Sequence, residues 1–212
     1  MVWLRSKTLP LALALLGSVA EVAISEELKT LDWPSRIIQQ QQESTDVKTP
    51  VVSTLCLHPS AGLLASAGDD HCVRVWDLKK GTIAQRLVGH TDWVRTIAYS
   101  PKGDVLATAG NDRQVIFWDA LTGEKQKVFI EHPHAIAKLV FSHDGRYLAV
   151  TGFEDKVRVY DVSLGKLAME LAGTCNDMRA LSFSPDDRYL AAGGRSGMIR
   201  VWSMDKGKKL FV

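Results

Sequence analysis

One repeat period constrains this chain more than any other feature of its sequence. Three kinds of marker recur at a single interval of 42 residues, with no insertion between units. The aromatic markers are Trp76-Asp77, Trp118-Asp119, Tyr160-Asp161 and Trp202-Ser203, and the glycines are Gly68, Gly110, Gly152 and Gly194. The turn markers are His58-Pro59-Ser60, Ser100-Pro101-Lys102-Gly103, Ser142-His143-Asp144-Gly145 and Ser184-Pro185-Asp186-Asp187. Agreement of the three markers on one period indicates an array of structural repeats.

Each unit is predicted to contain four short β-strands. In the second unit, runs of β-branched and aromatic residues cover 94–99, 105–109, 115–118 and 125–129, with Gly, Pro, Asn and Asp between them. Such alternation is typical of strands joined by tight turns. The second run of every unit is nearly all apolar, which predicts burial on both faces, whereas the last run is more polar, as expected of an exposed edge.

The pair Gly89-His90, followed by Trp118-Asp119, resembles the signature of the WD-repeat family of β-propellers. The resemblance covers residues 47–212. It implies an all-β fold, a partial β-propeller of four four-stranded WD-type blades. The blades are expected at residues 47–88, 89–130, 131–172 and 173–212.

The resemblance also implies a structural tetrad in the second unit, formed by His90, Thr108, Asp112 and Trp118. A buried imidazole between a carboxylate and a hydroxyl, with an indole N–H at the end, leaves no polar group unpaired. The other units keep less of this pattern. The first retains Ser66, Asp70 and Trp76, the third has His132 facing Glu154 with Val150 and Tyr160, and the fourth retains Trp202.

Four units are few for this family, whose members resemble seven-bladed rings more often. Propellers have about 4–8 blades, and the residues aligned with a closing N-terminal strand, 40–45, offer no strand pattern. Two apolar blade faces are therefore expected to lie open. The prediction is an open arc that is truncated, or that pairs with another copy or another chain to complete the ring.

The N-terminal segment has the pattern of a secretory signal peptide, assigned to residues 1–25. Arg5 and Lys7 precede an apolar run over 9–20, and small residues at Ala20 or Ser25 provide two cleavage sites. Residues 26–46 are predicted to form a polar linker, of which a part could be helical. The mature chain is thus expected to be exported, periplasmic or extracellular, with no membrane association.

Composition and motifs argue against several classes of function. With 26 basic and 24 acidic residues the net charge is +2, so no nucleic acid partner is expected. Three scattered cysteines indicate neither a disulfide framework nor a zinc site, and whether Cys72 pairs with Cys175 stays open. No phosphate-binding loop, nucleophile elbow or haem-attachment motif is present. We expect no cofactor, no metal and no catalytic residues.

A partner-binding rim is implied by the resemblance, because the family commonly uses the loops at one end of the blades. The positions concerned are the residue before the tetrad Asp and the start of each first strand. Trp93 and Phe153 are expected to be exposed there, and such aromatic and arginine residues are typical of interface hot spots. The alternative is that Trp93 folds back onto its blade and that the arginines pair with Asp69 and Asp177. The charged, amide and aromatic residues at these positions are Asp69, Trp93, Arg95, Asn111, Phe153, Asp177, Arg179 and Arg195.

These observations predict an exported, non-catalytic scaffold that binds protein partners of unknown identity. One alternative is an exported enzyme or ligand-binding protein that uses the central channel, where the first strands offer Thr96, Lys138 and Ala180. Another is a non-functional fragment of a longer WD-repeat protein. Fold alone does not decide among the three.

Overall fold

Every regular element in the described part of the chain is a β-strand. The computed structural model describes residues 50–205 and 208–211. The predicted signal peptide (1–25) and linker (26–46) lie outside the described residues. Within the described ranges no helix is long and apolar enough to cross a bilayer. The prediction of an all-β fold is confirmed.

The strands form four sheets, named sheet 1 to sheet 4 in chain order. Sheet 1 contains β1 (Val52–Leu57), β2 (Leu63–Gly68), β3 (Cys72–Asp77) and β4 (Thr82–Val88), and sheet 2 contains β5 (Val94–Tyr99), β6 (Val105–Gly110), β7 (Gln114–Asp119) and β8 (Lys125–Glu131). Sheet 3 contains β9 (Ile136–Phe141), β10 (Tyr147–Gly152), β11 (Lys156–Asp161) and β12 (Lys166–Ala172), and sheet 4 contains β13 (Met178–Phe183), β14 (Tyr189–Gly194), β15 (Ile199–Ser203) and β16 (Lys208–Phe211).

Each sheet is an antiparallel meander in which consecutive strands are neighbours. The tight turns depend on glycine where the backbone enters the left-handed region, as at Gly103 with φ of 77°. The outer strand β8 is longer than the predicted 125–129. Its pairing with β7 continues to Gln114 opposite Glu131, which extends the hydrogen-bonded ladder by two residues.

The periodic glycines are explained by a β-bulge at the start of each innermost strand. In sheet 2 the register shifts between Val94 and Thr96, so that Arg95 has no partner in the ladder. The Trp93 carbonyl then comes so close to Gly110 that an added Cβ would lie 1.9 Å from its oxygen. The equivalent glycines of the other sheets, Gly68, Gly152 and Gly194, meet the equivalent carbonyls at 1.8, 2.1 and 2.1 Å. Only glycine fits at this position.

The apolar core is divided into three clusters, each shared by two neighbouring sheets. Innermost strands carry the packing: β5 contacts both β1 and β9, and β13 contacts β9. Fully buried residues such as Val73, Leu106 and Leu148 belong to these clusters. Among the described residues no such cluster joins sheet 4 to sheet 1. The sheets are therefore open rather than closed into a ring, as predicted.

Candidate functional site

We define the rim as the end of the four sheets at which the innermost strands begin. One equivalent backbone hydrogen bond is present there in every sheet. The residue after the second strand donates its backbone N–H to the carbonyl that precedes the innermost strand. The four pairs are Asp69 to Val51 at 3.3 Å, Asn111 to Trp93 at 2.9 Å, Phe153 to Ala135 at 3.1 Å and Arg195 to Asp177 at 3.0 Å. The predicted rim residues thus occupy equivalent places in their sheets.

The centre of the rim is a cluster of Trp93, Arg95 and Phe153 that crosses from sheet 2 to sheet 3. The bulge directs the Arg95 side chain away from the ladder. Its guanidinium carbon lies 4.6 Å from the centre of the Trp93 ring and 5.4 Å from that of Phe153. Arg95 Nε also donates to Asn111 Oδ1 at 2.5 Å. These contacts hold the cation in one place.

Both aromatic rings of this cluster are half-buried rather than exposed as expected. The reason is that Arg95 lies over both of them. The indole N–H of Trp93 is shielded from solvent and has no hydrogen-bond acceptor in the described structure. Trp93 and Phe153 therefore present only part of each ring to a partner.

In sheet 4 the rim carries a charged group of three residues. Arg179, the bulge residue of β13, donates from Nε and Nη2 to the two carboxylate oxygens of Asp177 at 2.7 and 2.8 Å. The hydrogen bonds from Arg179 lower the pKa of Asp177, and the positive charges of Arg195 and Arg95 add to this effect. Arg95 and Asp177 are thus near enough to interact, although they belong to sheets 2 and 4.

Asp69, the rim residue of sheet 1, is engaged within its own sheet. Its Oδ1 accepts a hydrogen bond from the backbone N–H of Val51 at 2.7 Å. The structure therefore brings together the rim residues of sheets 2 and 3, while Asp69 helps to hold the first residues of sheet 1 in place.

Below the rim, sheet 2 contains a buried chain of four hydrogen-bonded side chains. His90 Nδ1 lies 2.6 Å from Asp112 Oδ2, and His90 Nε2 lies 2.7 Å from Thr108 Oγ1. Trp118 Nε1 donates to the same Thr108 oxygen at 2.8 Å. Burial alone would raise the pKa of Asp112, but the hydrogen bond and charge of His90 outweigh it, and the pKa lies below its usual value.

The family model of the WD domain, G-beta repeat, matches this chain four times, at residues 40–77, 81–119, 123–161 and 165–203. The chain belongs to the WD-repeat family. The second, third and fourth matches each begin one strand before a sheet, so that the second contains β4 to β7. Residues 40–49 of the first match lie outside the described structure.

A curated relative carries a short stretch of the same repeat. The nuclear distribution protein PAC1 of Komagataella phaffii is 41% identical over 46 residues. The match covers 21% of this chain and 9% of the relative. This chain therefore spans only a small part of that protein's length, and the likeness concerns the WD repeat itself.

The WD repeats that lack the full tetrad contain an arginine that the sequence analysis did not identify. In sheet 1, Arg74 pairs with Asp70 at 2.6 Å, while Trp76 donates to Ser66 at 2.8 Å. In sheet 4, the equivalent Arg200 donates to the carbonyls of Ala172 and Gly173.

Sheet 3 uses its arginine in a larger network that runs from buried His132 and Glu154 to the exposed Glu170. His132 Nε2 lies 2.8 Å from Glu154 Oε1, and Arg158 contacts both Glu154 and Glu170, at 3.2 and 3.0 Å. The three arginines share one position of the repeat, which is Ile116 where the tetrad is complete. This periodic arginine was a signal available in the sequence.

The WD-repeat tetrad is not arranged for acid–base catalysis. Both ring nitrogens of His90 are engaged, and the His90 and Asp112 side chains are 1% and 2% exposed, so a substrate cannot reach them. In the described ranges no three His, Cys, Asp or Glu residues are grouped so that they could hold a metal ion. Cys56 and Cys175 are free thiols, so Cys175 does not form a disulfide with Cys72.

The channel residues named above do not form a polar cluster. Thr96 is 1% exposed and its Oγ1 accepts the backbone N–H of Leu139, a contact that joins sheet 2 to sheet 3. Lys138 is half-buried, and Ala180 is exposed at the open side of sheet 4. Of these three positions Thr96 joins two sheets, and the rim is left as the candidate functional site.

Proposed function

We propose that this chain is a non-catalytic scaffold that binds a protein partner through the rim. WD-repeat proteins are in general protein-interaction scaffolds, and the family membership supports the general role. The observation that carries the specific proposal is the convergence of Trp93, Arg95 and Phe153 from two sheets. Tryptophan and arginine are the residue types that most often dominate binding energy at interfaces.

The chemistry of the rim favours a partner segment with a carboxylate next to an apolar side chain. The rim carries three positive charges, on Arg95, Arg179 and Arg195, and two negative charges, on Asp69 and Asp177. Asp177 pairs with Arg179, and the positive charges remain in excess. A carboxylate on the partner would accept hydrogen bonds from the arginines. Beside it, the exposed parts of the Trp93 and Phe153 rings would contact an apolar group.

Substitution at the rim tests this proposal. Trp93→Ala and Arg179→Glu in the full chain are each expected to weaken capture of the partner roughly 30-fold, the effect of losing a hot spot of about 2 kcal/mol. The matched control is Lys102→Glu, an exposed charge change at the opposite end of sheet 2. Quantitative pull-downs with thermal midpoints for each variant provide the measurement. Equal capture by all four proteins would exclude the rim.

Export is the second part of the proposal and is supported by the leader pattern of residues 1–25 alone. Expression from the native N-terminus in a secreting host is expected to yield exported protein that begins after Ala20 or Ser25. N-terminal sequencing of the exported fraction measures this. Protein that stays inside the cell with Met1 intact would rule export out.

A further inference from the structure

The three shared cores of this chain are copies of one interface. We call the side that a sheet turns to the preceding sheet its front face, and the other side its back face. In sheet 2 the front face includes Val94, Ile97 and Tyr99, and the back face includes Val115 and Phe117. Residues at the same repeat positions form the other two clusters. Every internal joint is therefore a back face packed on a front face.

The innermost strand of sheet 1 has uncovered side chains on the front face, although Trp76 on the same face is 6% exposed. Leu55 and Leu57 are 59% and 64% exposed. Their equivalents in sheet 2, Ile97 and Tyr99, are 4% and 7% exposed, and Leu181 in sheet 4 is 7% exposed. The same apolar residue types are thus buried wherever a preceding sheet is present.

Sheet 4 has an uncovered back face of matching kind. Ile199 is 65% exposed, whereas its equivalents Val73, Val115 and Val157 are each 0% exposed. Tyr189, on the same face, is 43% exposed. An open cleft of about 800 Å³ lies here, lined by Arg179, Arg195, Met198 and Ile199. The chain therefore carries both halves of a fourth interface, one at each end of the row of sheets.

Charge at the rim supports joining these two halves. At the joint between sheets 2 and 3, Arg95 of sheet 2, which contributes its back face, lies against Phe153 of sheet 3, which contributes its front face. At a joint between sheet 4 and sheet 1 of another copy, the same two positions are Arg179 and Asp69. Opposite charges would meet there, which favours the pairing of these two faces over the pairing of like faces.

We propose that two copies of this chain dock head to tail, with the back face of sheet 4 in each copy packed on the front face of sheet 1 in the other. Such a heterologous contact closes into a ring when the rotation allows. Two copies provide eight sheets, within the range of about 4–8 known for propellers, whereas three copies would exceed it. In this proposal a second copy covers both open faces.

Sedimentation equilibrium of the full chain tests the assembly, and the wild type is expected to have twice the 23.4 kDa chain mass. Leu55→Glu and Ile199→Glu each place a charge in an apolar joint and are each expected to give monomers. An equimolar mixture of the two variants is expected to recover the dimer, because the intact back face of one fits the intact front face of the other. Leu121→Glu, at a leucine that is 85% exposed outside both faces, is the matched control and should stay dimeric.

Three outcomes of the sedimentation experiment would contradict the head-to-tail dimer. A monomeric wild type, as expected if residues 1–49 or another protein covered the faces, would overturn the proposal. Loss of the dimer in only one variant would indicate contact between like faces and would overturn it too. Failure of the mixture to recover dimer, while circular dichroism shows both variants folded, would exclude the head-to-tail arrangement.

Discussion

Replacing Asp112 with alanine is expected to lower the free energy of unfolding by about 1–3 kcal/mol, the usual cost of leaving a buried hydrogen-bonding group without its partner. Asp112 faces His90 at 2.6 Å, and both side chains are almost completely buried. Without the carboxylate, the imidazole Nδ1 has lost its partner, while Nε2 remains bonded to Thr108 Oγ1, which still accepts from Trp118 Nε1. Urea denaturation followed by tryptophan fluorescence measures the change.

Two variants make the Asp112 result specific. Asp112→Asn keeps a hydrogen-bond acceptor for His90 and is expected to be less destabilising than the alanine variant. Asp70→Ala removes the equivalent carboxylate of sheet 1, whose side chain is 21% exposed and pairs with Arg74, so its loss should be smaller as well. Equal destabilisation by Asp112→Ala and Asp70→Ala would show that the buried tetrad has no special role.

Acid is expected to destabilise the fold through His132. Burial lowers the pKa of this imidazole to about 4, and the nearby positive charge of Arg158 acts in the same direction, although the backbone carbonyl of His134 opposes both. In the unfolded chain the pKa is near its ordinary value of about 6.5. The unfolded state therefore binds a proton between these values and the folded state does not.

The sign of the pH effect follows from this difference. The contribution of His132 to the free energy of unfolding is fully present above about pH 6.5. It falls by about 3 kcal/mol in total as the pH drops towards about 4. Burial also raises the pKa of Glu154, so that the folded chain takes up a proton there earlier, which offsets part of the loss at the acid end. Denaturation midpoints measured from pH 7 to pH 4 report the net slope.

Comparison of two glutamine variants isolates this histidine. His132→Gln retains polar contact with Glu154 but cannot titrate, and is expected to flatten the slope between pH 6.5 and pH 4. His71→Gln, at an exposed histidine in a turn of sheet 1, should leave the slope unchanged. An unchanged slope in His132→Gln would refute the assignment.

The sequence was sufficient to predict the sheets because one short pattern is repeated four times. Glycine, turn and aromatic markers at one period determine where strands begin and end, and Gly110 marks the close approach of the Trp93 carbonyl. The end of β8 could not be predicted, because its last residues depend on pairing with Gln114 rather than on their own propensity.

The rim was predicted only as a set of positions. That Arg95 lies between Trp93 and Phe153 depends on a bulge in one sheet and on the placement of the next, which local patterns do not determine. The roles of Arg74 and Arg158 were missed for another reason. The arginine that recurs at the centre of the third strand is not one of the tetrad positions, so the tetrad pattern does not predict its ion pairs.

The sharing of each core between two sheets has a consequence for how this chain opens. No sheet has a core of its own, so the free energy of folding is approximately a sum of nearest-neighbour terms. Sheets 2 and 3 are each held by two such joints, whereas sheets 1 and 4 are held by one. In a monomeric copy local opening is therefore cheapest at the two ends, and amide hydrogen exchange should be slowest in the middle of the row.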